Sequence, residues 1–346
     1  MRDEPTTAEA TTPAPGQSPA PDPSDATAPR APAASGHRTD AADLAPAAIA
    51  LRGAVKTFGA IRAVDGLDLT VPTGACYGLL GPNGAGKSTL MRLLTAQAVA
   101  DRGDLEILGQ RLPQESKQAR ARCGVVPQHD NLDVELTARQ NLAVFARLYR
   151  VPRRERRAAV DRALEVANLV DRADTRVDAL SGGMRRRLLI ARALVHTPEL
   201  VLMDEPTVGL DPQVRQELWG LIARLRDDGV TVLMSTHYIE EAERLTDRVA
   251  IMASGRVVAD DAPRVLIAAH AGREVLEVYG PPSRLDDVAA RVEAAGHPTR
   301  RTGPALAVLR AEALAGELAD QLARDGVRRA ANLEDVFVVL TGEEIA

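Results

Sequence analysis

Hydrophobic positions along this chain fall into short, nearly continuous runs separated by stretches of helical period, the texture of alternating strands and helices. Apolar runs at 49–55, 67–71 and Cys76–Leu80 predict three strands, and the third enters a glycine-rich loop that continues as a helix over 87–96. Helical spacing returns over 138–149, over 153–167 and from Ser181 to Val195. Strands follow at Leu200–Asp204, 230–235 and Arg248–Ala253, with a helix near 213–227 between the first two. This order predicts a mainly parallel α/β core with an antiparallel edge. After about residue 269 the pattern changes: strands at Glu274–Tyr279 and 305–309 and helices at 282–295, 311–324 and 332–341 predict a small α/β appendage without recognisable chemistry. The expected division is a Pro/Ala-rich tail over 1–46, a main domain over 47–268 and an accessory domain over 269–346.

Composition narrows the options. The first 46 residues hold 9 of the 22 prolines, no aromatic residue and no hydrophobic period, so they are expected to stay disordered as a solvated tail. Arg2, Asp3 and Glu4 lead into no apolar segment, which argues against a secretory signal. With seven acids against three arginines the tail carries −4 of the total −5, and the remaining charge near −1 gives no sign of nucleic-acid binding. Cys76 and Cys123 read as buried thiols in a reducing compartment, without metal-ligand spacing. No apolar run approaches the ~20 residues of a membrane helix, so work at a membrane would use spans supplied by another chain.

The chemistry begins with Gly81, Pro82, Asn83, Gly84, Ala85, Gly86, Lys87, Ser88 and Thr89, which spell GPNGAGKST, a complete phosphate loop between a strand and a helix. Gly81 and Gly86 are expected to let the loop turn tightly so that successive N–H groups face the phosphates, helped by the positive end of the following helix. Lys87 would neutralise the β- and γ-phosphates, and the Ser88 hydroxyl would hold Mg²⁺.

Asp204 ends an apolar strand, where a carboxylate emerges beside the loop as a Mg²⁺ partner. Glu205 follows it and points elsewhere, which suits a carboxylate that orients or deprotonates the attacking water. His237 ends the next strand within reach of the γ-phosphate, in contrast to His129, His196, His270 and His297, which read as structural. Gln128 follows the run Val125-Val126-Pro127; its amide would touch Mg²⁺ or the water, and segment 129–147 would then feel the nucleotide state. Phe58, 29 residues before Lys87, reads equally as an adenine platform or as a core aromatic.

Leu180-Ser181-Gly182-Gly183-Met184 supplies a second glycine-rich helix start, 20 residues before Asp204 when counted from Met184. A helix N-terminus opening on a serine is an anion site, yet this one cannot reach the nucleotide on its own phosphate loop. Two copies closing over shared ATP would satisfy it. Two arginine clusters are weaker signals. Residues 153–157 read as a solvated helix start, and some of Arg185, Arg186 and Arg187 should face solvent because consecutive helical residues point apart.

With these residues assembled, the chain resembles the ATP-binding subunits of ABC transporters from about 49 to 265. The resemblance implies an ABC-type P-loop NTPase: a mostly parallel core sheet, an antiparallel β subdomain and a helical subdomain. It implies ATP and Mg²⁺ as cofactors, with Ser88, Gln128 and Asp204 at the metal and Glu205, His237, Lys87 and Gln128 as the hydrolytic set. Phe58, the phosphate loop and Ser181, Gly182 and Gly183 complete the nucleotide site, with Ser181 and Gly183 on the γ-phosphate of a second copy and Asp211 communicating across that interface. The implied partners are a second copy and a multi-span permease, without nucleic acid, at the cytoplasmic face of the inner membrane. Met184 replaces the commoner glutamine and Phe58 the commoner tyrosine; neither change removes a charge or a phosphate donor. VVPQHDNLD at 125–133, LSGGMRRRL and NLEDVFVVLTG at 332–342 are most similar to an exporter branch that includes the Nod-factor and daunorubicin-type ATPases. Two alternatives share the motor: a soluble ABC-type ATPase acting on ribosomes or DNA, and an importer ATPase. One phosphate loop and no heptads disfavour the first; only the branch resemblance disfavours the second.

Overall fold

The structure, a computed structural model, describes residues 46–342, so the tail predicted over 1–46 lies, apart from Pro46, outside the described residues. In chain order, β1 (Ala47–Phe58) and β2 (Ile61–Pro72) form a hairpin that leads to β3 (Cys76–Leu80) and α1 (Lys87–Leu94). Next come β4 (Arg102–Ile107), β5 (Gln110–Leu112), α2 (Ser116–Ala121) and β6 (Cys123–Val126), then the helices α3 (Ala138–Leu148), α4 (Arg156–Val166) and α5 (Gly182–Leu194). The main part ends with β7 (Leu200–Asp204), α6 (Pro212–Asp227), β8 (Thr231–Thr236), α7 (Ile239–Leu245), β9 (Arg248–Ala253), β10 (Arg256–Asp261) and α8 (Pro263–His270). Beyond it lie β11 (Glu274–Tyr279), α9 (Pro282–Ala294), β12 (Thr299–Thr302), β13 (Ala305–Val308), α10 (Gly316–Asp325), β14 (Gly326–Ala330) and α11 (Leu333–Thr341).

The core sheet has the order β10-β9-β3-β8-β7-β6, parallel except for the antiparallel edge strand β10. Every residue of β3 and β8 is buried, because helices and a second sheet cover both faces; that is why these strands read as continuous apolar runs. The second sheet, β2-β1-β4-β5, is antiparallel. Its hairpin strands are longer than predicted. Register shifts on either side of Ala54 break the period-2 alternation, so only part of each strand was visible as a pattern. β4 was not predicted at all: it lies between β1 and β5, yet RGDLEI carries only two apolar residues and its first three residues are exposed.

The helical layer of α3, α4 and α5 packs on a large apolar cluster that also takes Val201 and Met203 from β7 and Leu218, Leu221 and Ile222 from α6. Thr137 starts α3 with a reciprocal cap: its hydroxyl accepts from the Gln140 N–H (3.2 Å), and the Gln140 side chain accepts from the Thr137 N–H (2.9 Å). His196, just past α5, stacks on Tyr149 with ring centroids 3.7 Å apart and lies 3.2 Å from the Cys123 carbonyl through Nε2. Burial pushes its pKa down from 6.5 to about 4, against the opposing pull of that carbonyl. The unfolded chain therefore takes the proton first as pH falls. Stability present above pH 6.5 is lost between 6.5 and about 4. Between pH 7 and 5 the loss should be roughly 1 to 2 kcal/mol after allowance for solvent screening. Urea midpoints of wild type and His196→Gln over that range test this; equal slopes in the two proteins would overturn it.

Residues 269–342 hold a third sheet, β12-β13-β11-β14, whose own apolar cluster includes Leu276, Val278, Leu285, Val292 and Leu306. The helix predicted over 311–324 divides into a short turn at Ala311–Ala313 and α10, whose first residue, Gly316, is in the left-handed region (φ 76°). β14 escaped prediction because its arginines, Arg328 and Arg329, interrupt the apolar pattern; they pair with Glu274 and Glu277 of the adjacent β11. The last helix, α11, leaves this sheet. Val336 and Phe337 enter a cluster with Leu80 of β3, Val249 and Ile251 of β9 and Ala242 of α7. At its start, buried Asp335 accepts from Arg300 and Arg329, and the Leu333 N–H donates to Glu243 of α7 at 2.6 Å. The C-terminal sheet is thus tied to the back of the core sheet.

Candidate functional site

Parallel register aligns the carboxyl ends of four strands. Leu80 pairs with Thr236, Asp204 with Ser235 and Val126 with Met203, so the segments leaving β3, β8, β7 and β6 emerge side by side. These segments carry Gly81 to Lys87, His237, Asp204-Glu205 and Gln128, and the sheet brings them together.

The loop from β3 to α1 works by two different uses of glycine. Gly86 has φ 102°, and a Cβ there would lie 2.3 Å from the Ala63 carbonyl of β2. Gly81 has no positive φ: the predicted tight turn is not its role, and it is small because a Cβ would lie 2.4 Å from the Met252 carbonyl of β9. No side chain caps α1, so the N–H groups of its first turn have no side-chain acceptor, the arrangement that receives an anion. Lys87 is 4% exposed and donates to the carbonyls of Gly81 (2.7 Å) and Pro82 (3.1 Å). Burial lowers its pKa, an effect opposed by Glu205 and Asp204.

Glu205 stands at the centre. Its carboxylate accepts from Gln128 Nε2 at 3.0 Å and lies 3.6 Å from Lys87 Nζ and 3.3 Å from His237 Nδ1. The His237 contact lacks hydrogen-bond alignment, so Nδ1 is close to the carboxylate without donating to it. The Glu205 backbone is left-handed (φ 44°), unusual for a residue with a side chain, and its N–H donates to Ser235 Oγ (3.0 Å) and Ser235 O (3.2 Å). The Asp204 carboxylate accepts from Ser235 Oγ at 2.5 Å.

Two cavities meet at these residues. One, of about 560 Å³, is lined by Pro82, Asn83, Gly84, Gly86, Lys87, Ser88, Thr89, Gln128 and Glu205, with Ile61, Arg62, Ala63 and Ser254 on its outer wall. A second, of about 190 Å³, is lined by Ser88, Gln128 and Asp204, the three residues expected at the metal. Ala85 is buried behind the loop. Phe58 is 47% exposed at the hairpin end with Lys56 Nζ 5.3 Å from its ring centre, so it is not a core aromatic; it pairs in register with Ile61. Ser181 and Gly182 are exposed at the start of α5 and line neither cavity, whereas Gly183 is packed on Val214 of α6. Ser181 Oγ accepts from the Met184 N–H at 3.2 Å.

Several contributors carry no motif signal. Ile61 and Arg62, at the start of β2, and Ser254, in the turn between β9 and β10, are distant in sequence. Glu241 of α7 is 1% exposed and accepts from Thr207, from Thr236 Oγ1 (2.7 Å) and from Trp219 Nε1 (3.2 Å), which ties the segment after Glu205 to the strand before His237. Arg186 is 7% exposed, with its guanidinium turned inward; Arg185 and Arg187 are partly buried, so none of the three lies fully in solvent. A period-3.6 projection of α5 would have put Arg186 on the same face as Leu189 and Ile190, which are buried.

The ABC transporter domain pattern matches residues 64–208. The Nod factor export ATP-binding protein I of Paraburkholderia xenovorans is 45% identical over 303 residues, covering 86% of this chain and 98% of that protein. The protein of the same name from Mesorhizobium japonicum is 43% identical, covering 86% of this chain and 88% of its own length. Among solved structures, the dimeric ATP-binding cassette MJ0796 in a post-hydrolysis state bound to ADP and Pi is 29% identical, with a TM-score of 0.56 over 62% of this chain and 98% of that one. A cassette of the cbiONQ complex from Clostridium perfringens shares the fold, with a TM-score of 0.60 at 24% identity over 72% of this chain and 97% of that one. A phosphate loop, a strand-end acid pair and a capped glycine helix, arranged on a sheet shared with known cassettes, leave one conclusion: this chain belongs to the ATP-binding subunits of ABC transporters.

Proposed function

We propose that this protein is the ATP-hydrolysing subunit of an ABC exporter, acting as two copies beneath a separate multi-span permease at the cytoplasmic face of the inner membrane. The observation that carries the hydrolytic reading is the convergence of Lys87, Gln128 and His237 on one buried carboxylate, Glu205. Glu205 is the base that orients the attacking water and takes its proton. Lys87 and the first turn of α1 bind the β- and γ-phosphates, and His237, beside the same carboxylate, polarises the γ-phosphate or holds the water. Phe58 and Ile61 offer an apolar seat for the base. Ser181, Gly182 and Gly183 at the start of α5 bind the γ-phosphate held by the second copy, which fits the exposure of Ser181 and Gly182 away from their own cavity.

The residues at the smaller cavity suit Mg²⁺: a hydroxyl (Ser88), an amide (Gln128) and one carboxylate (Asp204). Among the described residues no cluster of three or more His, Cys, Asp or Glu could hold a metal. A sparse oxygen set is what Mg²⁺ uses when phosphates and water fill its remaining positions. When bound it would neutralise charge on the β- and γ-phosphate oxygens.

Among the described residues no helix is long and apolar enough to cross a membrane. Gln128, bonded to Glu205, opens the segment that leads into α3, and this is the output path to the permease. The Nod factor export relatives favour an exporter over the soluble-ATPase and importer alternatives, with a hydrophobic or amphipathic cargo, a drug or a lipo-oligosaccharide. The test is purification of the full tagged chain from detergent-solubilised membranes. A multi-span protein should co-purify and change the ATPase rate; its repeated absence would favour the soluble alternative.

A further inference from the structure

Arg186 lies five residues after Ser181 on α5, and all five of its N–H donors are in use, each on a main-chain carbonyl. Nε donates to Pro206 (2.5 Å), Nη1 to Pro127 (2.7 Å) and Gln128 (3.1 Å), and Nη2 to Asp204 (3.3 Å) and Glu205 (3.0 Å). One rigid fork therefore joins three segments: the helix that begins at the signature, the turn that carries Gln128 and the turn that carries Glu205. The last of these is the left-handed backbone that aims the Glu205 carboxylate. That conformation is clamped from two sides, its N–H on Ser235 and its carbonyl on Arg186.

We propose that Arg186 is the positioning residue that couples the signature helix to the hydrolytic carboxylate, so that movement of α5 against a second copy's nucleotide resets the aim of Glu205 and Gln128. This rests on the assignment of Glu205 and Ser181 given above. Because one guanidinium holds carbonyls of both turns, displacement of α5 carries the turns with it. A lysine could not replace the fork: an ammonium has three donors at one point, where the guanidinium spreads five in a plane.

The test measures kcat, KM and ATP-dependent association for the full chain with Arg186→Lys and Arg186→Met. Arg186→Met should lose roughly a hundredfold in kcat, the scale on which a misplaced catalytic group costs rate, with ATP affinity changed less than about threefold. Arg186→Lys keeps the charge and most of the volume; it should lose about tenfold in kcat alone and accumulate an ATP-bound dimer, because closure proceeds while hydrolysis lags. A purely structural arginine would lower the thermal midpoint and leave kcat unchanged well below it. Arg186→Lys with kcat within about twofold of wild type, or with ATP affinity falling as far as kcat, would overturn the proposal. Glu205→Gln run in parallel separates the two questions: if it retains turnover, the carboxylate assignment fails whatever the Arg186 variants do.

Discussion

Glu205→Gln is expected to reduce ATP turnover roughly a thousandfold while leaving ATP affinity close to wild type. The substitution preserves side-chain volume in a site where Glu205 is 6% exposed, so packing changes little. It removes the one carboxylate that faces Lys87, Gln128 and His237 together. Neutral amide oxygen is a far weaker base, and the water loses both its orienting charge and its proton acceptor. In the proposed mechanism phosphate binding rests instead on the α1 N-terminus and Lys87, whose contacts to Gly81 and Pro82 do not involve Glu205. Blocked hydrolysis should trap the closed state, so ATP should shift the variant to a dimer on size exclusion while wild type remains mostly monomeric. Unchanged turnover would remove Glu205 from the mechanism.

Ser181→Arg is expected to abolish ATP-driven dimerisation, and with it at least ~99% of turnover, while a single copy still binds nucleotide. Ser181 is exposed at the N-terminus of α5 and lines neither cavity of its own subunit, so a large cation there leaves the phosphate loop untouched. The loss of its hydroxyl cap costs about 1 kcal/mol locally. α5 should survive that, because Leu188, Leu189, Ile190 and Ala191 anchor it in the main apolar cluster. Ser181→Ala isolates the cap: it should soften α5 slightly and keep much of the activity. Equal loss of nucleotide binding and dimerisation in Ser181→Arg would show that the signature acts in its own subunit, against the shared-nucleotide reading.

Legibility differed between the parts of the molecule for identifiable reasons. The strands β3, β7 and β8 are buried on both faces, so they appear as unbroken apolar runs, and they end just before Gly81, at Asp204 and just before His237. The half-exposed sheet was only partly visible, because bulges near Ala54 break its alternation and β4 carries only two apolar residues. Gly81 was named for the right loop and the wrong cause: only the approach of β9 reveals that the Met252 carbonyl, and not a turn, excludes a side chain. Phe58 could be read either way until its exposure placed it at the surface.

Residue order was enough to identify the phosphate loop, the acid pair, the histidine and the second glycine-rich helix start, because each needs particular residue types at short spacing. Those requirements are local. Folding decided which groups share a charge environment: Glu205 with Lys87, Gln128 and His237, and Glu241 with Thr207, Thr236 and Trp219. It also decided that Arg186, one of three consecutive arginines, turns inward to main-chain carbonyls as distant in sequence as Pro127 and Pro206. A side chain's chemistry is written at its own position, whereas its burial and its partners depend on parallel strand register and helix packing across many residues. Packing likewise decided that Ser181 and Gly182 at the start of α5 are left exposed, the arrangement on which the proposed sharing of ATP between two copies rests.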